Sequence, residues 1–112
     1  MSCDACERSA ELLPIDLRAI EMNATLGWSY THDMRGIMRT VDTADFVSSL
    51  ELAQILGDAA EVAGHHPDLL IQWGKLTITI TTHSLGGLTK ADFKLARVYT
   101  DILAQWSTTH AR

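Results

Sequence analysis

Three imidazoles and a carboxylate stand close enough along this chain to act together. Glu61 precedes His65-His66-Pro67 by four residues, and His83 closes a run of alternating apolar and hydroxyl residues. Residues four apart share a helix face, so Glu61 is expected to orient His65 if the helix before it persists that far. Pro67 biases His66 towards an extended conformation, which carries the next strand back to it. With Gly74-Lys75 as a two-residue hairpin loop, Trp73 faces Leu76, Ile71 faces Ile78 and Leu69 faces Ile80 on an apolar side. Asp68, Leu70 and Gln72 then oppose Thr81, Thr79 and Thr77 on the other side, and His66 falls opposite His83 at the mouth of the ladder.

Several chemistries are open to such a cluster. As structure alone, His65 and His66 suit the negative end of a helix dipole, and His83 bonds to backbone at a strand end. A zinc site needs more: adjacent histidines rarely ligate one ion together, and neither an HExxH pattern nor a cysteine partner is present. Acid–base work fits the residue type, because imidazole, with an ordinary pKa of about 6.5, offers both protonation states near neutrality. Neither a serine nucleophile motif nor a glycine-rich phosphate loop points elsewhere.

The elements that must hold these residues follow the order α-β-β-α-β-β-α. Residues 10–25 are helix-compatible, with Leu12, Leu13, Leu17 and Ile20 apolar and Pro14 suited to a first turn. Trp28, Tyr30, Ile37, Met38 and Val41 lie in two β-prone runs around a turn at residues 32–36. Asp42 or Thr43 can cap a helix to Ala63, with Phe46, Leu50, Ala53, Leu56 or Gly57, and Ala60 as its stripe and Gly64 as its stop. The second hairpin is the clearest, since Leu76, Ile78 and Ile80 alternate with Thr77, Thr79 and Thr81. Thr89-Lys90-Ala91-Asp92 resembles a capping box with Asp in place of Glu, opening a helix striped by Phe93, Ala96, Thr100 and Leu103. Two hairpins flanked by helices imply an α+β architecture, an antiparallel sheet with helices over one face.

At 112 residues the chain is expected to be one domain at residues 10–112, behind a loose tail at residues 1–9. Fourteen acidic against nine basic residues give a net charge of −5, which disfavours direct nucleic-acid binding. No apolar run approaches the ~20 residues of a membrane span, and the start has no basic and then apolar leader, so a cytoplasmic location is expected. Cys3 and Cys6 form a lone CxxC with two of the four ligands that a structural zinc needs, and are expected to be dispensable. The mixed stripe Leu95, Val98, Tyr99, Ile102 and Trp106 exceeds what one small domain is expected to hide, and so predicts a homo-oligomer.

The run from Glu61 to Asp92 resembles the signature of the pterin-4a-carbinolamine dehydratases: Glu61, three residues, His65-His66-Pro67, five residues, Trp73, nine residues, His83, eight residues, Asp92. Gly27-Trp28, Asp45-Phe46, Thr82-His83 and Gly86-Gly87-Leu88-Thr89 are also similar to that family, and the likeness spans roughly residues 15–105. Ser84 departs from it, standing where many members carry an acidic or other polar residue. The resemblance implies a four-stranded antiparallel sheet with helices on one face, assembled into dimers or tetramers. It implies dehydration of 4a-hydroxytetrahydropterins to quinonoid dihydropterins in pterin recycling, with the pterin as substrate and no metal or redox cofactor. His65, His66 and His83 would be the catalytic, pterin-contacting residues, with His65 and His83 moving protons and His66 holding the substrate. Glu61, Pro67, Trp73, Thr82, Ser84 and Asp92 would bind substrate or support the histidines, although Trp73 also suits a core and Asp92 a helix cap. The alternative is a non-catalytic interaction protein of the same fold, an assembly factor or a transcriptional dimerisation cofactor.

Overall fold

The structure, a computed structural model, describes residues 11–109; Cys3 and Cys6 lie outside them. The elements follow the expected order: α1 (Ile15–Asn23), β1 (Ser29–Tyr30), β2 (Ile37–Asp42), α2 (Phe46–Ala63), β3 (Asp68–Gln72), β4 (Lys75–Ile80), a short 3₁₀ turn (His83–Leu85) and α3 (Lys90–Thr109). The strands form one antiparallel sheet in the order β1-β2-β4-β3, so the two hairpins meet edge to edge through β2 and β4. Alternation decides which face is covered. Ile37, Leu76, Ile78 and Ile80 are buried beneath the helices, whereas Thr40, Leu70 and Thr77 lie on the opposite face.

Leu52, Leu56, Phe93, Leu95, Tyr99 and Leu103 from α2 and α3 complete the core, together with Trp28 and Trp106. Two polar anchors cross it. Tyr99 donates its hydroxyl to the Leu56 carbonyl at 2.8 Å, and burial pushes its ionisation well above the usual phenol range. Trp28 donates its indole N–H to Thr100 Oγ1 at 3.0 Å.

Four expectations need correction. The β3–β4 turn is Trp73-Gly74, with Lys75 paired to Gln72, because Gly74 at φ 80° takes the left-handed second position of the turn. Faces are unchanged, since both strands shift together, but Trp73 leaves the apolar face and is 71% exposed. The α2 cap is Asp45, whose carboxylate accepts from the Ser48 N–H, and not Asp42 or Thr43. Starting the helix there turns Phe46 and Leu50 outward and Ser49, Leu52, Ala53, Leu56 and Ala60 inward. Buried Ser49 is satisfied by Thr43 and by the Gln72 carbonyl, which ties α2 to the hairpin turn. Finally, Leu95, Tyr99 and Trp106 of the proposed contact stripe are buried in the domain's own core, so α3 offers no apolar face of that composition.

Candidate active site

Gly64 ends α2 in the left-handed conformation at φ 69°, and its N–H closes on the Ala60 carbonyl at 2.8 Å. The helix therefore stops before His65, and the four-residue spacing from Glu61 no longer places those two side chains together. Glu61 instead hydrogen-bonds His66 on the exposed side of the cap. His65 turns inward, 3% exposed, and its Nε2 lies 2.7 Å from Oδ1 of Asp92. His65 is thus oriented by a carboxylate, but by Asp92 of α3 and not by Glu61.

Asp92 is itself fully buried at the start of α3, where it serves two purposes. Its Oδ2 accepts the Thr89 backbone N–H at 2.8 Å, the reciprocal bond of the capping box, and the Thr82 hydroxyl at 2.8 Å. Thr82 and Thr89 hydroxyls lie 2.9 Å apart, so the whole group is a closed polar knot inside the apolar core. A buried carboxylate is tolerated when donors surround it in this way. Through the knot, His65 is linked to Thr82 and so to the residue that follows it, His83.

His83 is not the cross-strand partner of His66, because the ladder ends at Asp68 opposite Thr79 and β4 stops at Ile80. The chain then bends into the 3₁₀ turn, fixed by Thr82 pairing with Gly87. His83 there is 71% exposed, with Nε2 3.7 Å from Oδ2 of Asp68. An exposed pair of this kind adds little stability, but it sets the imidazole at the rim of an open cleft. That cleft, of about 710 Å³, runs from Asp68, Thr79, Thr81 and His83 to the β1–β2 turn. Its size falls within the roughly 300–1,000 Å³ of small-molecule sites.

The three histidines therefore gather at one end of the second hairpin, His65 and His66 just before β3 and His83 just after β4. Glu61, Pro67, Thr82, Ser84 and Asp92 belong to the same end, with Thr82 and Asp92 buried and Ser84 exposed. Trp73 does not; it sits at the opposite end of β3, five residues and roughly 17 Å from Asp68. The sequence pattern did not single out Asp68, His32 or Arg35 as site residues. Asp68 was legible as a polar-face residue, while the turn residues gave no signal. Among the described residues, no three His, Cys, Asp or Glu side chains converge as a metal site. None of the described helices is long and apolar enough to cross a membrane.

Comparison with known proteins bears on the same residues. Positions 13–102 match the family described as Pterin 4 alpha carbinolamine dehydratase. A Cyanothece sp. protein named "Putative pterin-4-alpha-carbinolamine dehydratase" is 39% identical over 94 residues, covering 80% of this chain and 95% of its own. A protein of the same name from Thermosynechococcus vestitus is 40% identical over 91 residues, covering 81% of this chain and 93% of its own. A crystal structure from Brucella melitensis, described as a transcriptional coactivator/pterin dehydratase, superposes with a TM-score of 0.75 at 26% identity, over 82% of this chain and 98% of that one. With the sheet order, the histidine cluster and its buried carboxylate all in place, the chain belongs to the pterin-4a-carbinolamine dehydratase family.

Proposed function

We propose that the protein dehydrates 4a-hydroxytetrahydropterins to quinonoid dihydropterins in pterin recycling. The observation that carries this is the pairing of an enclosed, carboxylate-oriented imidazole, His65 on Asp92, with an open one at a cleft, His83 beside Asp68. The reaction asks for two such groups. The 4a-hydroxyl leaves as water only when its oxygen gains a proton, while the N5 lone pair forms the C4a=N5 bond and N5 gives up its own proton. Asp92 fixes the tautomer and the plane of His65, so that ring needs no reorganisation at the moment of transfer. His83, held by the 3₁₀ turn, serves the other proton, and His66 with Glu61 holds the ring from the exposed side. The pterin is the substrate, and no step in this scheme draws on a metal or redox cofactor.

Kinetics on single variants test the assignment. His65→Ala and His83→Ala should each lower kcat by about 10²–10⁴, and the double variant should lose far less than the product of the two. His66→Ala should mainly raise KM. Near-normal turnover in His83→Ala would remove it from proton transfer.

A protein-interaction role is the second reading. It is favoured by the exposed Phe46, Val47 and Leu50 at the start of α2 and by the coactivator description of the Brucella structure. The same patch is where a homo-oligomer would form; light scattering of wild type against Val47→Glu reads it directly, and a monomeric wild type would contradict assembly.

A further inference from the structure

Resting on the dehydratase reading, we infer that the β1–β2 turn selects pterins whose C6 substituent is anionic, with Arg35 as the partner of that charge. In a pterin, N5 lies between C4a and C6. A ring whose N5–C4a edge meets His83 therefore carries its C6 substituent beside N5, within the same cleft. One wall of the cleft is the turn, through Thr31, His32, Asp33 and Arg35.

The turn is built as a rigid wall. Thr31 N–H donates to the Gly36 carbonyl at 2.9 Å and Thr31 Oγ1 donates to Asp33 Oδ1 at 2.7 Å. Asp33 Oδ1 also accepts the Arg35 N–H at 3.0 Å, and these bonds, with the Arg35 charge close by, hold its carboxyl below the usual range. From outside, Thr81 Oγ1 donates to the Arg35 carbonyl at 2.5 Å, and Arg18 donates to the Met34 carbonyl at 3.3 Å. Asp33 is thus committed to the turn, and Asp68 stands by His83. The Arg35 guanidinium acts on Asp33 through its charge but makes no close ion pair with any described residue, in a chain of net charge −5. His32, on the same wall, is its only basic companion among the cleft residues of the turn. Arg35 is held at its backbone N–H and carbonyl and is exposed, and its planar guanidinium suits bidentate pairing with a phosphate or a carboxylate.

The test is calorimetric titration with three stable 7,8-dihydropterins, bearing at C6 a neutral hydroxyalkyl group, its phosphate ester, or a carboxylate-terminated tail. Wild type should prefer one of the anionic ligands over the neutral one by about 10-fold or more, and the arm that wins identifies phosphate or carboxylate. Arg35→Ala should erase the preference and Arg35→Lys should restore part of it, with both variants melting near wild type. Equal affinity for all three ligands, or an anionic preference untouched in Arg35→Ala, would overturn charge selection while leaving dehydration standing. An anionic preference lost in Arg35→Ala, in a protein without turnover, would support charge selection and overturn dehydration.

Discussion

Replacing Asp92 separates its two duties. Asp92→Ala removes the acceptor for the Thr89 N–H and for His65 Nε2, both buried, and for the hydroxyls of Thr82 and Thr89. Those hydroxyls lie 2.9 Å apart and can pair one of their two O–H donors between them, which leaves three donors to account for. A buried donor deprived of its partner costs about 1–3 kcal/mol, so the loss should be about 3–9 kcal/mol. That is a large share of the roughly 5–15 kcal/mol that hold a domain. Asp92→Asn differs, because one oxygen can still accept the Thr89 N–H. Its amide nitrogen then faces His65, and Nε2 must accept where it would have donated, which reverses the tautomer. Stability should fall by only about 1–2 kcal/mol, yet turnover should drop by about 10²–10⁴. Urea unfolding and a dehydration assay on the same preparations measure both. Full turnover per folded Asp92→Asn molecule would refute an orienting role, and a negligible stability loss in Asp92→Ala would refute the closed knot.

Three further outcomes follow from the geometry. Asp45→Ala should lower Tm by a few degrees at pH 7, through loss of the Ser48 N–H bond. Since that bond holds the Asp45 carboxyl below its ordinary pKa, its contribution is present above about pH 4 and lost in acid, so melts near pH 3 should show the gap closing. Tyr99→Phe should cost about 1 kcal/mol; because the unfolded chain ionises near about pH 10 while buried Tyr99 keeps its proton, wild-type stability should fall above that pH and the variant's should fall less. Trp73→Ala should leave KM within about twofold of wild type, since the turn it occupies is at the far end of the hairpin; a large rise would place the pterin elsewhere.

Element order, strand alternation and the gathering of His65, His66 and His83 were all legible because they depend on local signals. Period-two alternation through Leu76, Ile78 and Ile80 survives a register error, since a hairpin shifted by one residue on each strand keeps its faces. What escaped was the consequence of single backbone conformations. Gly74 in the left-handed position moved the turn and left Trp73 exposed, and Gly64 in the same region rotated His65 away from Glu61 and into the core. The Asp92–His65 bond joins residues 27 apart across two elements, so no local spacing announces it. The α3 stripe read as surplus because helix periodicity shows which residues share a face, and not how much of the sheet and of α2 is available to cover it.

Acid–base dehydration at this site is tested most directly by following quinonoid dihydropterin by absorbance from a freshly generated 4a-hydroxytetrahydropterin, with wild type and Asp92→Asn beside buffer alone. The site geometry predicts a wild-type rate well above buffer and an Asp92→Asn rate close to it at nearly native stability. A wild-type rate no faster than buffer would contradict catalysis and leave the exposed start of α2 as the working surface of an interaction protein.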